Sequence, residues 1–477
     1  MEVHSPCRSI RAALDARCTD LISKLATPAR CVTALLAVAA SATNSTAGPQ
    51  YRLGPEVLVS NNQDGGALRC EPSVALFKDT IVVAWNDSHG GALGTSKSKD
   101  KVGVSIGWAI SLDRGRTFRF GGYLPQRMSG EILSGADSWL VADREGNFYL
   151  HALSLEGPNE IQVYYMDRRD LGRWQRVSNA ATGDGLDKPS MSVDSDGRIG
   201  IAYNSGTSSV YFAMSGDKGK SWAKPVKLTD SDSSATSRLG VVVAMTKSRI
   251  VVSWAEGSGV DLREIWWTES VDGGQTFVRS ALLFKSKEPL QPPKGYAMGL
   301  GYPSSIVSLP WLTRSSGSAN EVIYLSYAEG VEGGSRVLLF TLPAGGKSWS
   351  QPVSVGESPE RAIKVMPSVA AVGSKPAVLY YDRRDHLDGA LTDVYISIFD
   401  EGAKSQDLKL NTVSTDWTKT PGDKQYAPIQ RNFGDYISLA SDGDLLAAAW
   451  TDGRSGVPRI YLRTIEVEGH RPAIGRP

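Results

Sequence analysis

Acidic and guanidinium side chains recur at matching places along this chain of 477 residues, and they are the groups able to do chemistry. One set heads short apolar segments: Arg69, Glu71, Asp137, Asp187, Lys188, Arg238, Tyr302 and Asp435. A second set closes the segments that follow: Asp87, His89, Glu256, Glu329, Asp382, Arg383, Arg384, Asp452 and Arg454. Carboxylates accept from sugar hydroxyls and act as acids or bases, whereas arginine offers a two-pronged donor to an anion. The mixture suits a polyhydroxylated ligand. Mutual ion pairing would give the same pattern, with Tyr381–Arg384 and Trp450–Arg454 simply tying loop ends together. Glu256, Asp87 and Asp435 are the candidate acid/base groups. Arg69, Arg238, Arg383 and Arg454 are candidate anion holders, with Glu71, Asp137, Asp382 and Asp452 completing the binding set. Asp87 and Asp452 are also readable as a glycosidase carboxylate pair, whose separation would set inversion or retention.

Such side chains need a scaffold, and the sequence describes one by repetition. An eight-residue phrase occurs as SLDRGRTF (Ser111–Phe118), SGDKGKSW (Ser215–Trp222) and SVDGGQTF (Ser270–Phe277), with a worn copy at Pro343–Trp349. Asp113, Asp217 and Asp272 can each accept backbone N–H groups within a tight turn. Gly115, Gly219 and Gly274 permit the tight backbone, and the closing aromatic packs back into the sheet. The phrase is self-satisfied, so it reports architecture and not reactivity.

A second repeat encloses the first. Short apolar strands, often headed by Pro-Ser, occur at Glu71–Leu76, Lys188–Val193, Tyr302–Val307 and Met366–Ala371. Looser copies lie at Asp137–Ala142, Arg238–Val243 and Asp435–Ala440. Each is followed by a strand rich in β-branched and aromatic residues, such as Ile81–Asp87, Ile250–Glu256, Ala377–Arg384 and Leu445–Arg454. Repeats of this kind predict an all-β, seven-bladed β-propeller, with residues 48–477 as one domain. The last unit lacks a fourth strand, and Gly54–Ser60 has the right pattern to supply it beside Ile460–Ile465, removing an exposed edge. A six-bladed wheel, with Asp137–Arg176 or another weak unit as an insertion, is the rival count. In either wheel the acidic turns fall on the face opposite the charged rim. Trp85, Trp254, Tyr381 and Trp450, just before the rim, are readable as sugar platforms, but blade-on-blade packing is the simpler reading.

The phrase resembles the Asp-box, or BNR, repeat of sialidase-like β-propellers, and Asn432–Arg463 is similar to the closing repeat of secreted bacterial sialidase-family proteins. The resemblance spans nearly all of Gly54–Val467 and implies a glycan ligand, glycoside hydrolysis and a site at the channel mouth. It implies three arginines on a substrate carboxylate, a Tyr nucleophile with a Glu partner, and an Asp acid/base. Arg69, Arg238 and either Arg383 or Arg454 would form the triad. Tyr436 or Tyr302 with Glu256 would form the nucleophile pair. The departure is at Arg69-Cys70-Glu71-Pro72, where the family's arginine phrase is one residue out of register and Glu71 replaces an apolar neighbour. A non-catalytic carbohydrate- or protein-binding propeller, working in assembly, is the alternative.

Composition removes other classes. The formal charge is +1 with no basic stripe, which argues against nucleic acid. No HExxH, CxxC, GxSxG or P-loop is present, so no metal or cofactor is expected. Lys24 and Arg30 precede an apolar run, Cys31–Ala40, which is too short to span a bilayer and is followed by small polar residues up to Ala47. Residues 1–47 read as a leader and signal peptide cleaved near Ala47, implying export to a secreted or periplasmic site. A disordered cytosolic leader is the other reading. Three of the 4 cysteines precede Gly48, leaving Cys70 and no internal disulfide.

Overall fold

The computed structural model describes residues 51–61, 68–88, 104–124, 135–154, 158–206, 209–229, 237–259, 261–288, 290, 309–315, 321–387, 391–400, 405–419 and 434–468. The expected leader, His89 and the strand expected at Tyr302–Val307 lie outside these residues. Seven antiparallel sheets run in chain order, which makes the protein a seven-bladed β-propeller. The inner strands of blades one to seven are Leu68–Phe77, Gly135–Ala142, Leu186–Val193, Ser237–Met245, Trp311–Arg314, Lys364–Val372 and Ser438–Asp442. The described inner strand of blade five is Trp311–Arg314, preceded by Leu309-Pro310.

The ring closes as the last repeat requires. Tyr51–Leu58 runs antiparallel beside Arg459–Val467, with Tyr51 opposite Val467 and Leu58 opposite Tyr461. The strand begins at Tyr51, three residues before the expected Gly54. Apolar burial then locks every seam, because each blade shares a core with the next. In the closing seam, Ile81, Val83 and Trp85 of blade one pack on Leu445, Ala447, Ala449 and Leu462 of blade seven. Six similar clusters fill the other seams. Trp85, Trp254, Tyr381 and Trp450 are all at most 2% exposed, so they pack blade on blade. Hydroxyls add polar staples near the axis: Ser73 Oγ accepts from Leu140 N, Ser438 Oγ from Val74 N, and Ser368 Oγ from Leu439 N.

The three complete acidic turns share one network. Ser111 Oγ donates to Asp113 at 2.7 Å and accepts from Gly115 N at 2.9 Å, while Asp113 accepts Thr117 N at 2.9 Å. Ser215–Asp217–Ser221 and Ser270–Asp272–Thr276 repeat it. Burial opposes charge on Asp113, but the Thr117 and Ser111 bonds outweigh it and hold the pKa at about 2. For Asp217 the Ser221 hydroxyl is the first cause, again giving about 2.

Register fixes which residues share a face. Ile81 at the start of its strand pairs with Ser111, where the acidic turn begins, whereas Asp87 at the other end pairs with Arg69. Six residues of strand separate them, or about 20 Å at ~3.3 Å per residue. The acidic turns and the charged rim lie at opposite ends of the blade.

Candidate functional site

The inner strands carry a shared irregularity at their mouth end. Strand register shifts by one residue at Cys70/Ser73, Ala136/Trp139, Asp187/Ser190, Leu239/Val242 and Val365/Ser368. Each shift is a bulge, and the bulged residue takes a left-handed backbone: Glu71 (φ 56°), Asp137 (φ 53°), Lys188 (φ 39°), Gly240 (φ 62°) and Met366 (φ 52°). Such backbone costs a non-glycine residue about 1–3 kcal/mol, so the surrounding sheet must enforce it. Met366 shows that the bulge belongs to the wheel itself. What differs between blades is the side chain placed there, and in blades one, two and three that side chain is charged.

These side chains converge around Lys188. Its Nζ lies 2.6 Å from Asp435, and 3.7 Å from both Glu71 and Asp137. Glu71 is fixed from two other sides, accepting Asn86 Nδ2 at 2.6 Å and Asp435 N at 3.0 Å. Asn86 in turn accepts Asp137 N at 3.1 Å, so one amide spans blades one and two. The Tyr436 ring lies beneath Lys188 Nζ at 5.9 Å.

The environment pushes these carboxyls apart. Burial, assisted by Asp137 and Asp435, raises Glu71 well above the usual carboxylate range despite Lys188. Burial also raises Asp187, to about 7, with Lys188 opposing and Asp137 reinforcing the shift. For Asp137 burial favours the neutral form, but Lys188 and hydrogen bonds from Glu71 and Asp187 outweigh it and lower the pKa. Burial works against the Lys188 charge, yet the four acids overcome it and raise the pKa. The cluster therefore holds carboxyls whose proton affinities are driven in opposite directions, Glu71 and Asp187 upward and Asp137 downward, around one ammonium. Differential protonation of neighbouring acids is how one site supplies both an acid and a base.

The rim arginines are placed differently. Arg69 and Asp87 form a fully buried pair at 2.9 Å, and Trp85 Nε1 donates to the same carboxylate. Arg238 forks onto Glu256 at 3.0 and 3.2 Å, with Trp254 Nε1 at 3.4 Å. Arg454 holds Asp452 at 2.7 Å and bonds Glu56 of the closing strand, while Trp450 Nε1 reaches Asp452 at 3.1 Å. Blade six uses Arg384, which bonds Asp382 at 2.7 Å and Asp407 at 2.5 Å. Arg383 is buried, donating its N–H to Ile363 O and Nη2 to His386 O. A Trp-x-acid phrase with an arginine partner thus recurs in blades one, four and seven, which identifies it as a strand-end fastening.

Of the residues read from sequence, Glu71, Asp137, Asp435 and Tyr436 come together on the axis. Asp87, Glu256, Asp382 and Asp452 stand at the ends of the second strands of their own blades, where Arg69, Arg238 and Arg454 pair with three of them and Arg383 follows the fourth. The charged groups acting most on Tyr436 are Glu71, Asp137 and Lys188, whereas Glu256 is forked by Arg238. Burial and the neighbouring Glu71 and Asp137 raise the Tyr436 phenol well above its ordinary value, which disfavours a phenolate. His151 is fully buried, and that burial holds it neutral with a pKa of about 3.

Sequence reasoning left Lys188 and Asp187 in a list of mouth residues and missed Asn86, Trp139 and Trp311. Trp139 and Trp311 stack at 4.4 Å, and both line a mouth-side recess with Asp137, Lys188 and Tyr436. They also cap a cavity of about 210 Å³ that runs along the inner strands toward Arg314 and Ser441 at the acidic-turn end. The pair separates the charged mouth from the channel below. The available signal was the Pro-Ser phrase, since the residue before it is the bulged one in Glu71-Pro72, Lys188-Pro189 and Met366-Pro367. Among the described residues no set of His, Cys, Asp and Glu is placed to hold a metal ion, and no helix is long and apolar enough to cross a membrane.

Residues 79–310 match the BNR repeat-like domain. No curated protein sequence matches the chain. Among solved structures, an ulvan lyase described as a new polysaccharide lyase family superposes with a TM-score of 0.50 at 11% identity, covering 86% of this chain and 95% of its own. An α-L-arabinofuranosidase from Fusarium graminearum gives 0.49 at 13% identity, covering 87% and 98%. The NanB sialidase of Streptococcus pneumoniae gives 0.40 at 12% identity, covering 87% and 71%. At these identities the likeness is one of fold.

Proposed function

Starting from a chain that is a sialidase-like BNR-repeat β-propeller, we propose that it binds and hydrolyses a glycan at the mouth of its central channel. The observation that carries the reading is the convergence of Glu71, Asp137, Asp187 and Asp435, from four blades, on Lys188. Asp187 is the general acid, because it is partly exposed and poised at about 7. Asp435, ion-paired with Lys188, is the carboxylate that activates water or attacks the sugar. Glu71, Asp137 and Asn86 position the pair, and Trp139 offers an apolar ring to a sugar face. Arg69–Asp87 and Arg454–Asp452 fasten the strand ends of blades one and seven, which carry Glu71 and Asp435. The reading of residues 1–47 as a leader supports a site of action outside the cytoplasm, where polymeric glycans are met.

The test is to screen purified residues 48–477 on chromogenic glycosides and polysaccharides, reading reducing-end release. Turnover that falls at least 100-fold in Asp187→Asn and Asp435→Asn, in folded protein, supports the reading. A non-catalytic binding propeller is indicated by glycan binding without turnover.

A further inference from the structure

We propose that the glycan this mouth accepts carries no carboxylate, sulfate or phosphate on the residue that enters it. The inference rests on the hydrolytic reading above and names its substrate class. On the axis, the described charged groups are the four carboxyls Glu71, Asp137, Asp187 and Asp435 against one ammonium, Lys188. That ammonium is already held at 2.6 Å by Asp435 and at 3.7 Å by two more acids, and is only 14% exposed. An incoming anion would meet a site that is negative in sum, with its one cation already engaged. Like charges brought together in a desolvated site are strongly disfavoured.

Among the described residues, Arg69, Arg238 and Arg454 do not relieve this. An acidic sugar is normally held by guanidinium forks facing the ligand. Here Arg69 is fully buried on Asp87, Arg238 is 4% exposed and bidentate on Glu256, and Arg454 is shared between Asp452 and Glu56. Recruiting any of them to a substrate would strand a buried carboxylate. Neutral hydroxyls have no such conflict. They can donate to Asp137 and Asp435 and accept from a protonated carboxyl, while an uncharged ring face lies against Trp139.

The experiment uses matched aryl glycosides that differ only in the sugar C6 group: glucoside against glucuronide, and galactoside against galacturonide, with a sialoside alongside. The expected result is a kcat/KM preference of at least about 100-fold for the neutral member, on the scale of a like-charge clash. That preference should narrow as ionic strength rises from about 0.05 to 0.5 M, because screening weakens the repulsion. Equal or better turnover of an acidic member would overturn the inference and leave the hydrolytic reading standing. Failure of every glycoside and polysaccharide to turn over would overturn the hydrolytic reading, and this inference with it.

Discussion

Replacing Lys188 with methionine tests the cluster's electrostatics without changing the side-chain length much. The substitution removes the one ammonium facing Asp435 at 2.6 Å and Glu71 and Asp137 at 3.7 Å, in a pocket where the lysine is 86% buried by complement of its 14% exposure. Deleting one partner of a buried charged group costs about 3–5 kcal/mol, because the other charge is left without compensation. With about 2.1 cal/mol/K of unfolding entropy per residue over roughly 420 residues, that is a fall in Tm of about 3–6 °C. The loss should depend on pH in one direction. Lys188 favours the ionised acids, so without it their folded pKa values rise and they bind protons. Lys188→Met should therefore be most destabilised near pH 8 and partly recover near pH 5, where the acids protonate. Calorimetry at both pH values, with Arg263→Met as an exposed-pair control expected within about 1 kcal/mol, reads this directly. A loss at Lys188 that equals the control, or is the same at pH 5 and 8, refutes the electrostatic argument.

Other substitutions separate scaffold from site. Asp87→Ala leaves the fully buried Arg69 without its carboxylate and should cost about 3–5 kcal/mol in thermal or denaturant melts, with little change in kcat for the folded fraction. Gly115→Ala places a Cβ 2.8 Å from Thr464 Cγ2 at φ +81°, and should destabilise by about 2 kcal/mol in the same melts. The acidic turns set an acid limit. Asp113 and Asp217 sit at about 2, below the unfolded value of 3.8, so their contribution is complete above about pH 4 and is lost as pH falls through 2. Asp113→Asn should flatten that part of the stability curve. Activity should decline as pH rises through about 7, where Asp187 loses the proton it donates, and this alkaline limb should vanish with the residual activity of Asp187→Asn.

The wheel was legible because its signals are local. Ser111, Asp113, Gly115 and Thr117 lie within seven residues and satisfy one another, so the turn can be read without knowing what packs on it. The closing strand was also legible, since the last repeat lacked a partner and Gly54–Ser60 had the pattern of one. In blade five the described inner strand, Trp311–Arg314, follows a Leu-Pro-Trp phrase that carries none of the repeat's Pro-Ser signal, while the Tyr-Pro-Ser phrase lies outside the described residues. The site was only partly legible for a different reason. Sequence places Arg69, Arg238 and Arg454 near the mouth, but strand register decides that each lies against a carboxylate of its own blade. The left-handed bulge that makes Glu71, Asp137 and Lys188 neighbours across the axis is marked in sequence only by the proline after Glu71 and Lys188, and Asp137, followed by Ser138, carries no such mark.

A crystal structure of the protein soaked with the oligosaccharide it turns over is the most direct measurement of where the chemistry happens. The account predicts a sugar ring above Trp139, with a glycosidic oxygen within hydrogen-bond distance of Asp187 and a ring carbon facing Asp435. A glycan seated on the acidic-turn face, or one gripped by Arg69, Arg238 or Arg454 with the Lys188 cluster untouched, would contradict it.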